Sequence, residues 1–153
     1  MPAAPQALEV DTPARLRIAI GRLSRRLRPT KAARAASLTP TRIAVLQTIS
    51  RRGPVRLSEL ADTEGINPTM LSRVIADLAD AGLLARASDE GDRRAAWVKA
   101  TAAGKRLAER IRKEQTEAVK AAMEALSQGE RARIERALPA LEQLVEHLKG
   151  DQA

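Results

Sequence analysis

Residues 57–76 read LSELADTEGINPTMLSRVIA, and no other stretch of the chain restricts its fold as much. Two runs with helical spacing, one over Leu57–Glu64 and one opening at Asn67-Pro68, are separated by only a short break. Helices that follow each other so closely must cross in contact, and a small residue is needed where they touch; Ala61 supplies it. Four residues later the turn needs a positive φ, which Gly65 adopts without steric cost. Leu71 and Val74 then fall on the inner side of the second helix, against Leu57 and Leu60. A small residue, a glycine and two apolar residues at these offsets form the spacing of a helix-turn-helix. The competing reading is an ordinary helical hairpin within a bundle.

The outer face of the second helix separates these readings. That helix is expected to run from its Asn67-Pro68 cap to about Ala81, with Gly82 closing it. With Leu71, Val74, Ile75 and Leu78 inward, the outward set is Thr69, Met70, Ser72, Arg73, Ala76 and Asp77. Its N-terminal part is small, hydroxylated and basic, which suits a DNA major groove about 12 Å wide. The start of the helix also presents N–H groups and the positive end of its dipole to phosphate. Arg73 suits a guanine edge or a phosphate; the plain alternative is a solvated surface arginine.

Flanking signals extend this core. A first helix is expected from Asp11 or Thr12, one of them capping it, to Pro29, with Leu16, Ile20, Leu23 and Leu27 on one face and six arginines elsewhere. An Ala-rich connection, Thr30–Leu38, has room for a turn of helix. Thr39-Pro40 opens a helix with Ile43, Leu46 and Ile49 on one side, ended by Gly53-Pro54. After the central motif, Leu83–Ala87 and Ala95–Ala100 read as two short strands around the charged turn Ser88–Arg94, a β-hairpin. In that turn Arg93 and Arg94 could enter an adjacent minor groove, with Asp92 bracing one of them, although Asp89 and Glu90 bring opposing charge. The bland reading is a solvated turn. Thr101 caps a long helix to about Leu126, with Leu107, Ile111, Ala118, Ala122 and Leu126 along one side. Ser127 and Glu130 form a capping box for a last helix. There Ile134, Leu138, Leu141, Val145 and Leu148 make a continuous apolar stripe, with Pro139 expected to bend the helix or lose one backbone bond.

Composition narrows the function classes. The chain of 153 residues has no cysteine and one histidine, His147, so disulfides, thiolate chemistry, a multi-histidine metal site and a histidine-based triad have no basis. No enzyme activity, cofactor or metal is expected. No apolar run approaches the roughly 20 residues of a membrane span, and no secretory signal is visible, so the expected location is cytoplasmic. Net charge is +8. Residues 1–38 hold eight basic against two acidic residues, whereas residues 39–100 hold nine against eight. Overall charge favours a polyanionic partner, but the segment expected to read DNA is nearly neutral, so the motif carries the case.

The order of helices, helix-turn-helix, charged turn and two long helices resembles the MarR family of bacterial transcriptional regulators. The likeness covers nearly the whole chain. It rests on LTPTRIAVLQTIS, on LSELADTEGINPTMLSRVIADLADAGLL, and on DRRAAWVKATAAGK, in which Asp92, Arg94, Thr101 and Gly104 match the family's pattern. The resemblance implies a mainly α fold with a small β-hairpin wing. It occupies residues 11–148, with dimerisation helices in 11–38 and 101–148, a winged helix-turn-helix in 39–100, and flexible ends at 1–10 and 149–153. It also implies a homodimer on an inverted-repeat operator, acting as a repressor. Unpartnered apolar stripes on the terminal helices agree with a dimer. By position, Asn67, Pro68, Thr69, Ser72 and Arg73 resemble the major-groove set, Arg94 the minor-groove finger braced by Asp92, and Arg93 a phosphate contact. A small anionic or aromatic effector is expected in a cleft beside the dimerisation helices. Trp97 is the sole aromatic residue able to stack on such a ligand, against the reading that it packs the hairpin. Ala100 stands where a larger aliphatic residue is usual, which predicts looser packing. The alternative function is a winged-helix module for protein–protein assembly without specific DNA binding.

Overall fold

The computed structural model describes residues 11–87 and 96–150. Among them the elements run α1 (Thr12–Leu27), α2 (Lys31–Ala35), α3 (Pro40–Arg52), β1 (Val55–Arg56), α4 (Leu57–Glu64), α5 (Pro68–Asp80), β2 (Leu84–Ala87), β3 (Trp97–Ala100), α6 (Ala102–Glu124) and α7 (Gln128–Gly150). The fold is mainly helical with a small antiparallel wing.

Local capping chemistry sets most helix starts. Thr39 accepts from the Arg42 N–H ahead of Pro40, and Asn67 accepts from the Thr69 N–H at 2.8 Å ahead of Pro68. Thr101 accepts from Gly104 at 3.0 Å. At α7 the box is reciprocal: Ser127 N–H donates to Glu130 at 2.8 Å and Ser127 Oγ accepts from Glu130 N–H at 3.3 Å. The bonds from the Ser127 hydroxyl and amide hold the Glu130 carboxyl below its ordinary pKa. The start of α1 departs from expectation. Asp11 occupies the cap position but makes no side-chain cap bond, because its backbone is already in the helical region. Its carboxylate lies 3.9 Å from Arg15 Nε instead.

One core joins α3, α4, α5, the wing and the first half of α6. Leu46, Ile49, Leu60, Leu71, Leu78, Ile111, Val45 and Val98 are its largest fully enclosed side chains, each stabilising the fold by about 1.5–3 kcal/mol relative to exposure. Gly65 takes the left-handed conformation (φ 61°, ψ 36°) that the turn between α4 and α5 requires. The sheet has the order β1-β3-β2. Val55 faces Val98, and Leu84 faces Ala100, on the core side. Ala100 is itself buried, so the loose packing expected around it is not apparent in its exposure.

Several boundaries differ from the sequence reading. β2 and β3 begin at Leu84 and Trp97, and β1 was not expected at all. On α6, Leu107 and Ile111 enter the core while Ala118 and Ala122 are exposed, so its expected stripe is divided. α7 continues through Gly150, two residues past the expected limit at Leu148. The turn Ser88–Arg94, residue Ala95, and the ends 1–10 and 151–153 lie outside the described residues.

Candidate nucleic-acid interface

The 13 residues of α5 make a rod of about 20 Å at 1.5 Å per residue. Its sides are sharply divided. Leu71, Val74, Ile75 and Leu78 are buried, whereas Asn67, Pro68, Thr69, Met70, Ser72, Arg73, Ala76 and Asp77 are exposed. Thus Asn67, Pro68, Thr69, Ser72 and Arg73 share the solvent-facing surface of the leading turns, Thr69, Ser72 and Arg73 as helical spacing predicts. Pro68 has no N–H to satisfy and Asn67 covers that of Thr69, so the helix starts cleanly while its hydroxyls and guanidinium face outward.

Polar contacts tie α3 to this rod and to α4. Arg42, in the first turn of α3, pairs with Asp77 on α5. Thr48, buried on α3, donates to Glu64 at the end of α4, and Arg52 donates to Thr63 at 3.2 Å. Each links residues too far apart in sequence for any local pattern to reveal them, and the Arg42–Asp77 pair was missed for that reason. It also neutralises a carboxylate on the exposed face of α5. Both side chains keep substantial contact with water, so the pair adds little stability.

At the root of the wing, Arg56 stacks over Trp97, 5.1 Å from the ring centre, as their facing positions on β1 and β3 require. Trp97 therefore packs against the sheet's outer side, and its Nε1 is buried without a hydrogen-bond acceptor among the described residues. Arg86 and Lys99 are exposed on the two wing strands. Asp92, Arg93 and Arg94 lie outside the described residues.

A groove of about 870 Å³ runs between α2 and the start of α6. Ala32, Ala35, Ala36, Leu83, Ala103 and Leu107 supply its apolar lining; Lys105, Arg106 and Arg110 bring positive charge against the single acid Glu109. Trp97 is not among these lining side chains. No group of three or more His, Cys, Asp or Glu among the described residues could hold a metal ion. No helix there is long and apolar enough to cross a membrane.

Comparison with known proteins agrees with this geometry. Residues 38–96 match the model of the MarR family. The HTH-type transcriptional regulator Mb0904 of Mycobacterium bovis is 32% identical over 116 residues, covering 76% of this chain and 80% of its own length. A MarR family protein from Bacillus stearothermophilus superposes with a TM-score of 0.79 at 21% identity, over 94% of this chain and 99% of its own. The regulator NadR, solved in complex with 4-hydroxyphenylacetate, gives a TM-score of 0.66 at 25% identity, over 92% of this chain and 97% of its own.

Proposed function

Because the chain belongs to the MarR family of HTH-type transcriptional regulators, we propose that it acts in the cytoplasm as a homodimeric repressor, placing α5 of each protomer in the major groove of an inverted-repeat operator. The observation that carries this reading is the division of α5, with four apolar residues buried and Thr69, Ser72 and Arg73 exposed together at its leading end. Hydroxyls and a guanidinium there match the donor and acceptor pattern of base edges and phosphates. Asn67 and Pro68 set the start of the rod beside the backbone. Arg94, braced by Asp92, would enter the flanking minor groove, and Arg93 would meet a phosphate.

Surfaces that a single chain leaves exposed support the dimer. α1 contributes no buried residue, and Ile134, Leu138, Leu141, Val145 and Leu148 of α7 are 37–61% exposed in one stripe. Such patches mark association surfaces.

Effector control is the finer part of the proposal. The groove between α2 and α6 combines apolar lining with three cationic side chains against one carboxylate, a chemistry that fits a small organic anion. NadR was solved with an aromatic carboxylate, which supports that class. Without an aromatic residue in this lining, a ligand ring would rest on alanines and guanidinium planes.

One titration series tests the proposal. Fluorescence anisotropy of the chain with its own upstream DNA should give a specific complex that weakens steeply with salt, by a log–log slope of about 0.9 per phosphate contact. Arg73→Ala should reduce the preference for operator over random DNA by about 1–3 kcal/mol. Added aromatic carboxylates should release the DNA, and less effectively in an Arg106→Ala/Arg110→Ala variant. Equal affinity of the unaltered chain for operator and random duplex would instead favour the assembly-module reading.

A further inference from the structure

Met70 is not part of the contact set carried over above, yet its environment is unusual. It is 52% exposed, while Leu71, Val74, Ile75 and Leu78 of the same helix are at most 7% exposed. The other large exposed apolar residues among those described belong to α1, α6 and α7; between Leu23 and Val119, Met70 stands alone. It therefore does not extend the stripes assigned to dimerisation. It occupies the third position of α5, with the exposed Thr69, Ser72 and Arg73 as its neighbours. An apolar side chain of this size gains nothing from water at that point, and among the described residues nothing covers it.

We propose that Met70 is a specificity-determining residue whose thioether side chain lies against the 5-methyl group of a thymine in each operator half-site. The inference rests on the reading of α5 as the groove-entering helix and adds to it the base that this position selects. Base edges in the major groove offer hydrogen-bond donors and acceptors, and a single apolar group, the thymine methyl. A thioether is at best a weak acceptor, so it discriminates among bases almost wholly through that methyl. Its unbranched, flexible chain lets it follow the methyl without a fixed rotamer. Arg73, one turn further along, reads or neutralises by charge; Met70 reads by apolar contact, so the two select different features of the same half-site.

The test uses the full chain and a duplex site selected by it from a random pool. Each thymine of the site is replaced in turn by uracil, which keeps base pairing and removes only the methyl. One symmetry-related pair should weaken binding by about fourfold per half-site, the value of one buried methyl-sized group. At that pair, Met70→Ala should bind the thymine and uracil duplexes equally, whereas Met70→Leu, which keeps an apolar side chain, should retain the preference. Indifference of the unaltered chain to every replacement would overturn the assignment. So would a Met70→Ala protein with the same sensitivity to uracil. Recovery of no preferred sequence at all would remove the DNA-reading proposal itself, and this assignment with it.

Discussion

Gly104 sits where a methyl group has no room. A Cβ on this residue would lie 2.0 Å from the Leu83 carbonyl oxygen and 2.9 Å from its carbon. Neither atom can swing away as the tip of a side chain would. The close approach has an identifiable cause, because the Thr101 N–H donates to that same carbonyl at 3.0 Å. The Thr101 hydroxyl donates to the Gly82 carbonyl at 2.6 Å while accepting from the Gly104 N–H. The start of α6 is thereby joined to the residues that lead into β2. Helix propensity alone favours alanine over glycine by about 1 kcal/mol in a helix. The steric conflict acts in the opposite sense, by about 1–3 kcal/mol or more, and should win. Gly104→Ala is expected to lower the urea midpoint of unfolding; an unchanged or raised midpoint would show that the two backbones separate cheaply. The Thr101 cap was legible in the sequence because a cap bond spans only three residues. The reason for glycine at 104 was not, since it lies in a chain segment 21 residues earlier.

The same contrast between local and distant causes recurs among the elements. The starts of α3 and α5 could be read from Thr39-Pro40 and Asn67-Pro68, whose bonds are made within the first turn. The exposed set Thr69, Ser72 and Arg73 followed from helical period for the same reason. β1 could not be read: Val55-Arg56 is too short to show a period, and its partner β3 lies some 40 residues away. α2 is the sharpest case. Five residues are far below the length at which an isolated helix persists in water, so other elements must hold it. Thr30 accepts from the Ala33 N–H at 3.0 Å. From α6, the Glu114 carboxylate accepts from the N–H groups of Lys31 at 2.6 Å and Ala32 at 3.2 Å. These amides carry the positive end of the helix dipole, which favours an acidic acceptor. Glu114→Ala should therefore destabilise the protein by about 1–2 kcal/mol, the usual loss of a good N-terminal cap. Hydrogen exchange should locate the change, with faster exchange at Ala33 and Arg34. Since α2 walls the groove, the proposed release of DNA by an effector should also need more ligand in this variant. Unaltered exchange in α2 would mean that the Thr30 cap and the burial of Ala33 hold the helix without Glu114.

At the scale of the whole molecule, α1 and α7 are helices that leave large apolar residues facing water within one chain. Leu23 and Leu148 are 62% and 61% exposed, although both stripes have the period of a packed helix face. Six arginines, Arg15, Arg17, Arg22, Arg25, Arg26 and Arg28, surround one such stripe, and Glu142 and Glu146 flank the other. A symmetric pair of chains can bury both stripes and bring these charges together, which one chain cannot. In the proposed dimer, reading of an inverted repeat would depend on the stripes as much as on α5, because they would fix the separation of the two rods. Leu138→Glu/Val145→Glu puts two carboxylates seven residues apart on the α7 stripe, at positions already 47% and 52% exposed. The fold of each protomer should survive, with helical circular dichroism retained, while sedimentation shifts from the mass of two chains to that of one. Operator affinity should fall by about 10²–10⁴-fold, the gain that linking two binding events supplies. Operator spacing supplies a separate control. Half-sites centred about 34–36 Å apart face the same side of the duplex, and five added base pairs turn the second half-site by about half a helical turn. A rigid dimer cannot follow that rotation, so the lengthened operator should bind the unaltered chain about as weakly as the intact operator binds the charged variant. If the unaltered chain tolerates the insertion, the two reading helices are not held at a fixed distance by α1 and α7.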